Sequence, residues 1–114
     1  MSTQQDIQTI EISIGKAKRA IELNKALNRL DKNKDFQLVI QEAYFKDEAA
    51  RLIAAKSNPG LSMPEQQAHL DHCIMGLGSL QQFFITISQI AMQMEKTMAD
   101  DEITHTELLQ EDAA

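Results

Sequence analysis

The chain has few of the residues that build disulfide-rich or β-sheet proteins. It contains one cysteine, no tryptophan, two prolines and four glycines, and aromatic residues make up 4% of its 114 residues. A single cysteine excludes an intrachain disulfide and indicates a reducing compartment. Six methionines with so few aromatic residues favour aliphatic helix packing over a β-sandwich. We therefore expect an all-α protein.

Charge is also missing from one long internal stretch. Residues 72–94 contain no Asp, Glu, Lys or Arg. A helix on the surface of a soluble monomer usually carries charged residues opposite its apolar face. This uncharged run therefore has to be covered by the rest of the chain, by a second copy or by lipid.

The charges that are present are segregated along the chain. The net charge is −6, and all of this excess lies in residues 100–114, which have no Lys or Arg. Residues 16–34, by contrast, hold seven basic side chains against Glu22 and Asp31. We expect a helical domain over residues 1–99, followed by a frayed or disordered acidic tail over residues 100–114. A short docking turn at Ile103, Leu108 and Leu109 is the alternative within that tail.

Apolar residues recur every three or four positions, which is typical of helices. The spacing predicts helices over residues 6–30, 35–56 and 63–98. A Ser-Asn-Pro-Gly turn separates the second helix from the third, and an S-x-x-E capping box at Ser62 begins the third. The predicted fold is a three-helix antiparallel bundle with a long third helix. The inward face of the second helix is expected at Phe36, Val39, Ile40, Ala43, Ala50 and Ile53.

The third helix carries a heptad seam, with apolar residues at positions a and d over four repeats. At about 1.5 Å per residue it spans roughly 54 Å, longer than the other two helices. Further apolar residues lie beside the seam, so we expect a homo-oligomer that associates through this helix. The predicted interface is Leu70, Cys73, Leu77, Leu80, Phe84, Ile87 and Met94.

Two other coverings of the third helix stay open at this point. One is a thick three-helix core with the glutamines on a solvated, uncharged face. The other is a membrane span, which Gln81, Gln82 and Thr86 near the centre of the run disfavour, because polar side chains are costly in hydrocarbon.

The first predicted turn is similar to a calcium loop. Asp31, Asn33, Asp35 and Glu42 match the ligand positions of the pattern D-x-N-x-D-G-x5-E. Phe36 stands where the pattern needs glycine for its sharp turn. Calcium binding is therefore an alternative to a plain polar turn capped by Asn33 or Asp31.

No other constellation predicts chemistry. His69, His72 and Cys73 are too few ligands for a structural zinc site, and no motif of a nucleophile or phosphate loop occurs. We expect no cofactor and no enzymatic activity. Nucleic-acid binding is not expected either, because no aromatic residues accompany the basic face of the first helix. That face consists of Lys18, Lys25, Arg29 and Lys32.

Two segments carry a resemblance to a known type of protein. LNRLDKNKDFQLVIQEAYFKDEAARLI (residues 27–53) and MGLGSLQQFF (residues 75–84) resemble small all-helical proteins of tailed bacteriophages. The resemblance implies a virion or assembly role, and a location in the cytoplasm of an infected bacterium or in the virion. It carries no functional residues with it. A host-directed binding protein that uses its acidic tail or its helical surface is the alternative.

Overall fold

A computed structural model describes residues 3–113, and no strand occurs within that range. The all-α prediction is confirmed. We label the helices α1, α2 and α3, with a 3₁₀ turn at Pro59–Leu61 before the last. Their bounds are Thr3–Asp31 for α1, Lys34–Phe36, Gln37–Glu48 and Ala49–Lys56 in succession for α2, and Pro64–Ala113 for α3.

Helix α2 differs from the prediction in its helix type. Its central 12 residues, Gln37–Glu48, form a π-helix, in which hydrogen bonds join residue i to residue i+5. Its half-buried residues recur every four positions, as at Phe36, Ile40 and Tyr44. The predicted inward face is wrong at four residues because it assumed a period of 3.6. The exposed four are Val39, Ala43, Ala50 and Ile53.

The chain divides into two compact units. The central unit is Leu27–Ile85, which holds α2 and the first part of α3. The terminal unit consists, in the described chain, of residues 3–26 and 86–113, which are parts of α1 and α3.

In the central unit, α2 and α3 run antiparallel. The Lys56 ammonium contacts the Asp71 carboxylate at 2.5 Å, and the rings of Phe36 and Phe84 meet edge to face with centroids 5.9 Å apart. The Gln67 side-chain amide donates to the carbonyl of Leu61 at 2.8 Å, fixing the turn before α3. The core of this unit is formed by Leu52, Leu70 and Leu77.

In the terminal unit, α1 and α3 also run antiparallel. The Ser88 hydroxyl donates to Asn24 Oδ1 at 3.0 Å, and the Ser13 hydroxyl donates to an Asp101 carboxylate oxygen at 2.6 Å. Small and branched apolar residues close the gap between the helices. The buried ones are Ile7, Ala17, Ile87 and Ala91.

The acidic segment is helical, unlike the predicted tail. Helix α3 continues beyond residue 98 to Ala113, because the heptad seam continues through it. Asp101, His105 and Leu108 keep the a and d spacing and are half-buried. Each of these positions faces α1 within the terminal unit, so the helix does not end where the acidic residues begin.

Helix α3 also starts one residue later than its predicted cap. Gln66 Oε1 accepts a hydrogen bond from the Met63 N–H at 3.2 Å, and the Gln67 N–H donates to the Met63 carbonyl at 3.0 Å. In a capping box, the side chain three residues after the cap accepts a hydrogen bond from the N–H of the cap residue. Here Gln66 and Met63 make that bond, rather than Glu65 and Ser62 as predicted.

Candidate functional site

The heptad seam of α3 is covered by the chain itself. Leu70 and Leu77 are buried in the central unit, and Ile87 and Ala91 in the terminal unit. The remaining predicted interface residues are half-buried, and they are Cys73, Leu80, Phe84 and Met94. The seam therefore supplies packing within the chain, and a surface for another molecule has to be sought beside it.

Large apolar side chains lie exposed on both sides of the seam within the uncharged run. In the central unit Met75, Phe83 and Ile85 are 66%, 53% and 50% exposed. In the terminal unit Ile90 and Met92 are 40% and 68% exposed. Phe83 and Ile90 occupy heptad position g, and Ile85 and Met92 position b. We call these five residues the α3 flank.

Glycines add to this surface in the central unit. Gly76 and Gly78 are exposed, and a Cβ atom built at either position meets no neighbouring atom within 4 Å. Glycine inside a helix costs about 1 kcal/mol relative to alanine. Since the described chain packs nothing against them, the backbone of α3 lies open to a close approach from outside.

Helix α3 meets the length and hydropathy criteria for crossing a membrane. An 18-residue window has a mean hydropathy of 1.2, and 11% of that window is buried. The criteria use length and composition alone, and core helices of soluble proteins meet them as well. Exposed Gln89 and Gln93 lie among the apolar residues, and such amides are expensive in hydrocarbon.

In the turn that is similar to a calcium loop, two of the four predicted ligands make other hydrogen bonds. Asn33 Oδ1 accepts a hydrogen bond from the Phe36 N–H at 3.0 Å, which caps α2. Asp31 Oδ1 accepts from the Gln41 amide at 3.1 Å, while Asp35 and Glu42 are exposed. Among residues 3–113, no group of three or more His, Cys, Asp or Glu side chains has the geometry to hold a metal ion.

The histidine and cysteine cluster is a local contact on α3. Cys73 Sγ lies 3.6 Å from His69 Nε2, one turn away, and Cys73 packs against the central core. His72 is exposed. This pair supplies two potential ligands from one helix, whereas a structural zinc site uses four.

An open apolar groove of about 540 Å³ runs between α2 and α3 in the central unit. Its two polar residues are Tyr44 and Glu48, and the rest of its lining is aliphatic. Arg51 donates to the Glu48 carboxylate, and this hydrogen bond is the main reason that the pKa of Glu48 is lowered. Glu48 is thus held ionised by an ion pair on its own helix, and the groove has no nucleophile paired with a base.

Comparison with known protein families, curated proteins and solved structures finds no match to this chain. The function is therefore inferred from the chain's own surface. The heptad pattern predicts surplus apolar residues on α3, and large exposed apolar side chains do lie on that helix. That pattern placed the interface on the seam, whereas the exposed residues are those of the α3 flank. The g and b positions of the heptad carried the signal for four of these five residues, and Met75 lies at position f.

Proposed function

We propose that this protein is a non-enzymatic structural or assembly protein that associates with copies of itself through α3. The observation that carries the proposal is the exposure of the α3 flank, a set of large apolar residues within a run that has no charged side chain. Monomeric soluble proteins rarely expose extended apolar surface, so a helix with large apolar residues exposed on both sides of its seam and no charge between them favours cover by another molecule.

The gain from covering the α3 flank is sizeable. Fully burying one side chain of this size contributes about 1.5–3 kcal/mol. A two-fold interface uses the same patch on both copies, so each residue contributes twice. Since these side chains are only 40–68% exposed, about half of the full-burial gain is available on association, and it is comparable with an association cost of about 4–15 kcal/mol. This balance favours a reversible, concentration-dependent oligomer.

The proposed architecture is a three-helix antiparallel bundle with the seam of α3 inside. The antiparallel contacts within each unit support it, Lys56 with Asp71 in one and Ser13 with Asp101 in the other. In this arrangement the seam holds the protomer together, and the α3 flank is free for a second copy.

The biological setting of the proposal is a tailed bacteriophage, and the resemblance of residues 27–53 and 75–84 is its support. On this proposal the protein acts in the cytoplasm of an infected bacterium, in the virion, or in both. Its partners are further copies of itself and other phage proteins, without nucleic acid or membrane.

The test is a paired substitution in the α3 flank, Ile90→Glu with Met92→Glu. The matched control is Ile53→Glu with Met63→Glu, which changes the same residue types at 64% and 59% exposure outside the uncharged run. We expect the first variant to sediment as a monomer and the control to keep the oligomer of the unchanged protein. Equal loss in both variants, or in neither, rejects α3 as the interface.

A host-directed binding protein is the second candidate. The observation that favours it is the acidic stretch of α3, which carries Asp100, Glu102 and Glu107 exposed to solvent. Neutralising these three as Asn and Gln variants preserves their shape and removes their charge. Loss of a stoichiometric complex with a basic host protein, at unchanged oligomeric mass, supports this candidate over the first.

A further inference from the structure

Acidic and basic residues lie in different halves of the terminal unit. One half, residues 3–15 of α1 beside residues 99–113 of α3, has no Lys or Arg. Its carboxylates are Asp6, Glu11, Asp100, Asp101, Glu102, Glu107, Glu111 and Asp112. The other half, residues 16–26 beside residues 86–98, carries a positive excess. Its charged residues are Lys16, Lys18, Arg19, Lys25 and Lys96 against Glu22 and Glu95.

The antiparallel pairing of α1 and α3 keeps these halves apart. The Ser13–Asp101 and Asn24–Ser88 contacts fix the register, so the acidic stretch of α3 lies beside the acidic start of α1. The two halves are centred about 20 Å apart, at about 1.5 Å per residue. That distance exceeds the Debye length of about 8 Å at physiological ionic strength. At the boundary Lys18 lines a small pocket with Glu11 and Glu102, but most carboxylates of the acidic half lie farther from the basic half of the same chain.

The same unit leaves large apolar side chains uncovered on both of its helices. Two antiparallel helices bury one stripe each, and the rest of their apolar residues face outward. On α1 these are Ile12 at 60% and Leu23 at 39% exposure, and on α3 they are Ile90, Met92, Ile103 and Leu109 at 40%, 68%, 62% and 46%. When such a pair packs on a second pair, the outward-facing apolar residues are buried in the core of a four-helix bundle.

We infer that the terminal unit docks against the terminal unit of a second copy in antiparallel orientation, so that the acidic half of each copy covers the basic half of the other. The inference rests on the self-association proposed above, restricts it to the terminal unit, which holds Ile90 and Met92 of the α3 flank, and specifies its orientation. The two halves are similar in length, so a two-fold axis at their boundary superposes acidic on basic twice in one closed dimer.

The charge distribution favours the antiparallel dimer over a parallel one. A parallel dimer places eight carboxylates of one copy against the same eight of the other, with no basic group between them. Repulsion between like charges disfavours the parallel dimer. Attraction between opposite charges favours the antiparallel dimer and also raises its association rate. The second copy is the occupant favoured here because it brings both the apolar residues and the complementary charges.

The test uses two charge-reversed variants of the full-length protein. The acidified variant carries Lys16→Glu, Lys18→Glu and Arg19→Glu. The basified variant carries Lys at the exposed carboxylates of α3, namely Asp100, Glu102, Glu107, Glu111 and Asp112. Asp101 is kept because it accepts the Ser13 hydrogen bond. The control for the acidified variant reverses Lys32, Lys34 and Lys46 of the central unit, which gives the same total charge.

Sedimentation equilibrium of each variant, alone and mixed, measures the dissociation constant. We expect each variant alone to dissociate at least about tenfold more readily than the unchanged protein, and the equimolar mixture to recover association as a heterodimer. The control is expected to change the constant by less than about threefold, and raising the salt concentration to weaken the unchanged dimer.

The outcomes separate this inference from the proposal on which it rests. If the unchanged protein is monomeric, self-association itself is rejected. If it associates but the acidified variant matches its control, the antiparallel orientation is wrong. Tighter association of the basified variant alone indicates a parallel dimer and also overturns the inference. Helical circular dichroism of every variant checks that the fold is intact.

Discussion

Ser13 and Asp101 are 88 residues apart in the chain, and a hydrogen bond of 2.6 Å joins the hydroxyl of the first to the carboxylate of the second. This contact joins α1 to the stretch of α3 in which the protein's net negative charge lies. It helps to explain why that stretch is an ordered helix rather than a tail, since one of its carboxylates is an acceptor inside the terminal unit.

Replacing Ser13 with alanine should lower the free energy of unfolding by about 1–2 kcal/mol, because a partly buried carboxylate loses its donor. Ser79→Ala is the matched control, since Ser79 is an exposed serine on α3. Urea unfolding followed by circular dichroism measures both. Equal stability of the two variants contradicts a role for this hydrogen bond in holding α3 against α1.

Leu52 should be the most costly side chain of α2 to truncate. It is 2% exposed and packs with Leu70 and Leu77. Leu52→Ala removes buried methyl groups and leaves a cavity, so we expect a loss of about 2–5 kcal/mol. Ile53→Ala, one residue further along and 64% exposed, should change stability by less than about 0.5 kcal/mol. The opposite ranking indicates that the helix turns its other face inward.

The cap at Asn33 should contribute to the start of α2. Its side-chain oxygen accepts from the Phe36 N–H at 3.0 Å. Asn33→Ala removes that acceptor, and we expect the free energy of unfolding to fall by about 1 kcal/mol. Asn28→Ala, at an exposed position within α1, controls for loss of the amide itself. A stabilising effect of Asn33→Ala shows that α2 begins elsewhere.

The ion pair of Glu48 and Arg51 should appear in a titration. Hydrogen bonds from Arg51 lower the pKa of Glu48 below its ordinary value of 4.5. Its stabilising contribution is present above pH 4.5 and is lost as the pH falls through the lowered pKa. In an NMR titration, Arg51→Gln should return the pKa of Glu48 toward 4.5. An unchanged pKa in that variant contradicts the pairing.

The sequence predicts most of the fold because its strongest signals are local. The helix-breaking Ser-Asn-Pro-Gly turn and the three-to-four spacing locate the three helices to within a few residues, apart from the end of α3. The end of α3 lies about 15 residues beyond the predicted end, because the acidic composition predicts a tail where the structure has a helix. Ser13 and Glu11 contact that stretch from the other end of the sequence, so no local pattern indicates that they hold it against α1.

The π-helical centre of α2 and the candidate surface were harder to predict for a related reason. A pattern of apolar residues does not show that Gln37–Glu48 forms a π-helix. The inward face predicted with a period of 3.6 residues is therefore wrong at four residues of α2. On α3, the seam residues and the flank residues are both apolar. Their heptad positions differ, but the structure shows which position is covered, since Leu77 at position a is buried and Phe83 at position g is exposed.

The mass of the purified protein in solution tests the central claim most directly. Sedimentation equilibrium or light scattering over a wide concentration range should give a mass that rises from 12.8 kDa to at least twice that value. Such a rise is the expected result of copies that cover each other's α3 flank. A mass that stays at 12.8 kDa up to millimolar protein contradicts self-association, and with it the proposed function.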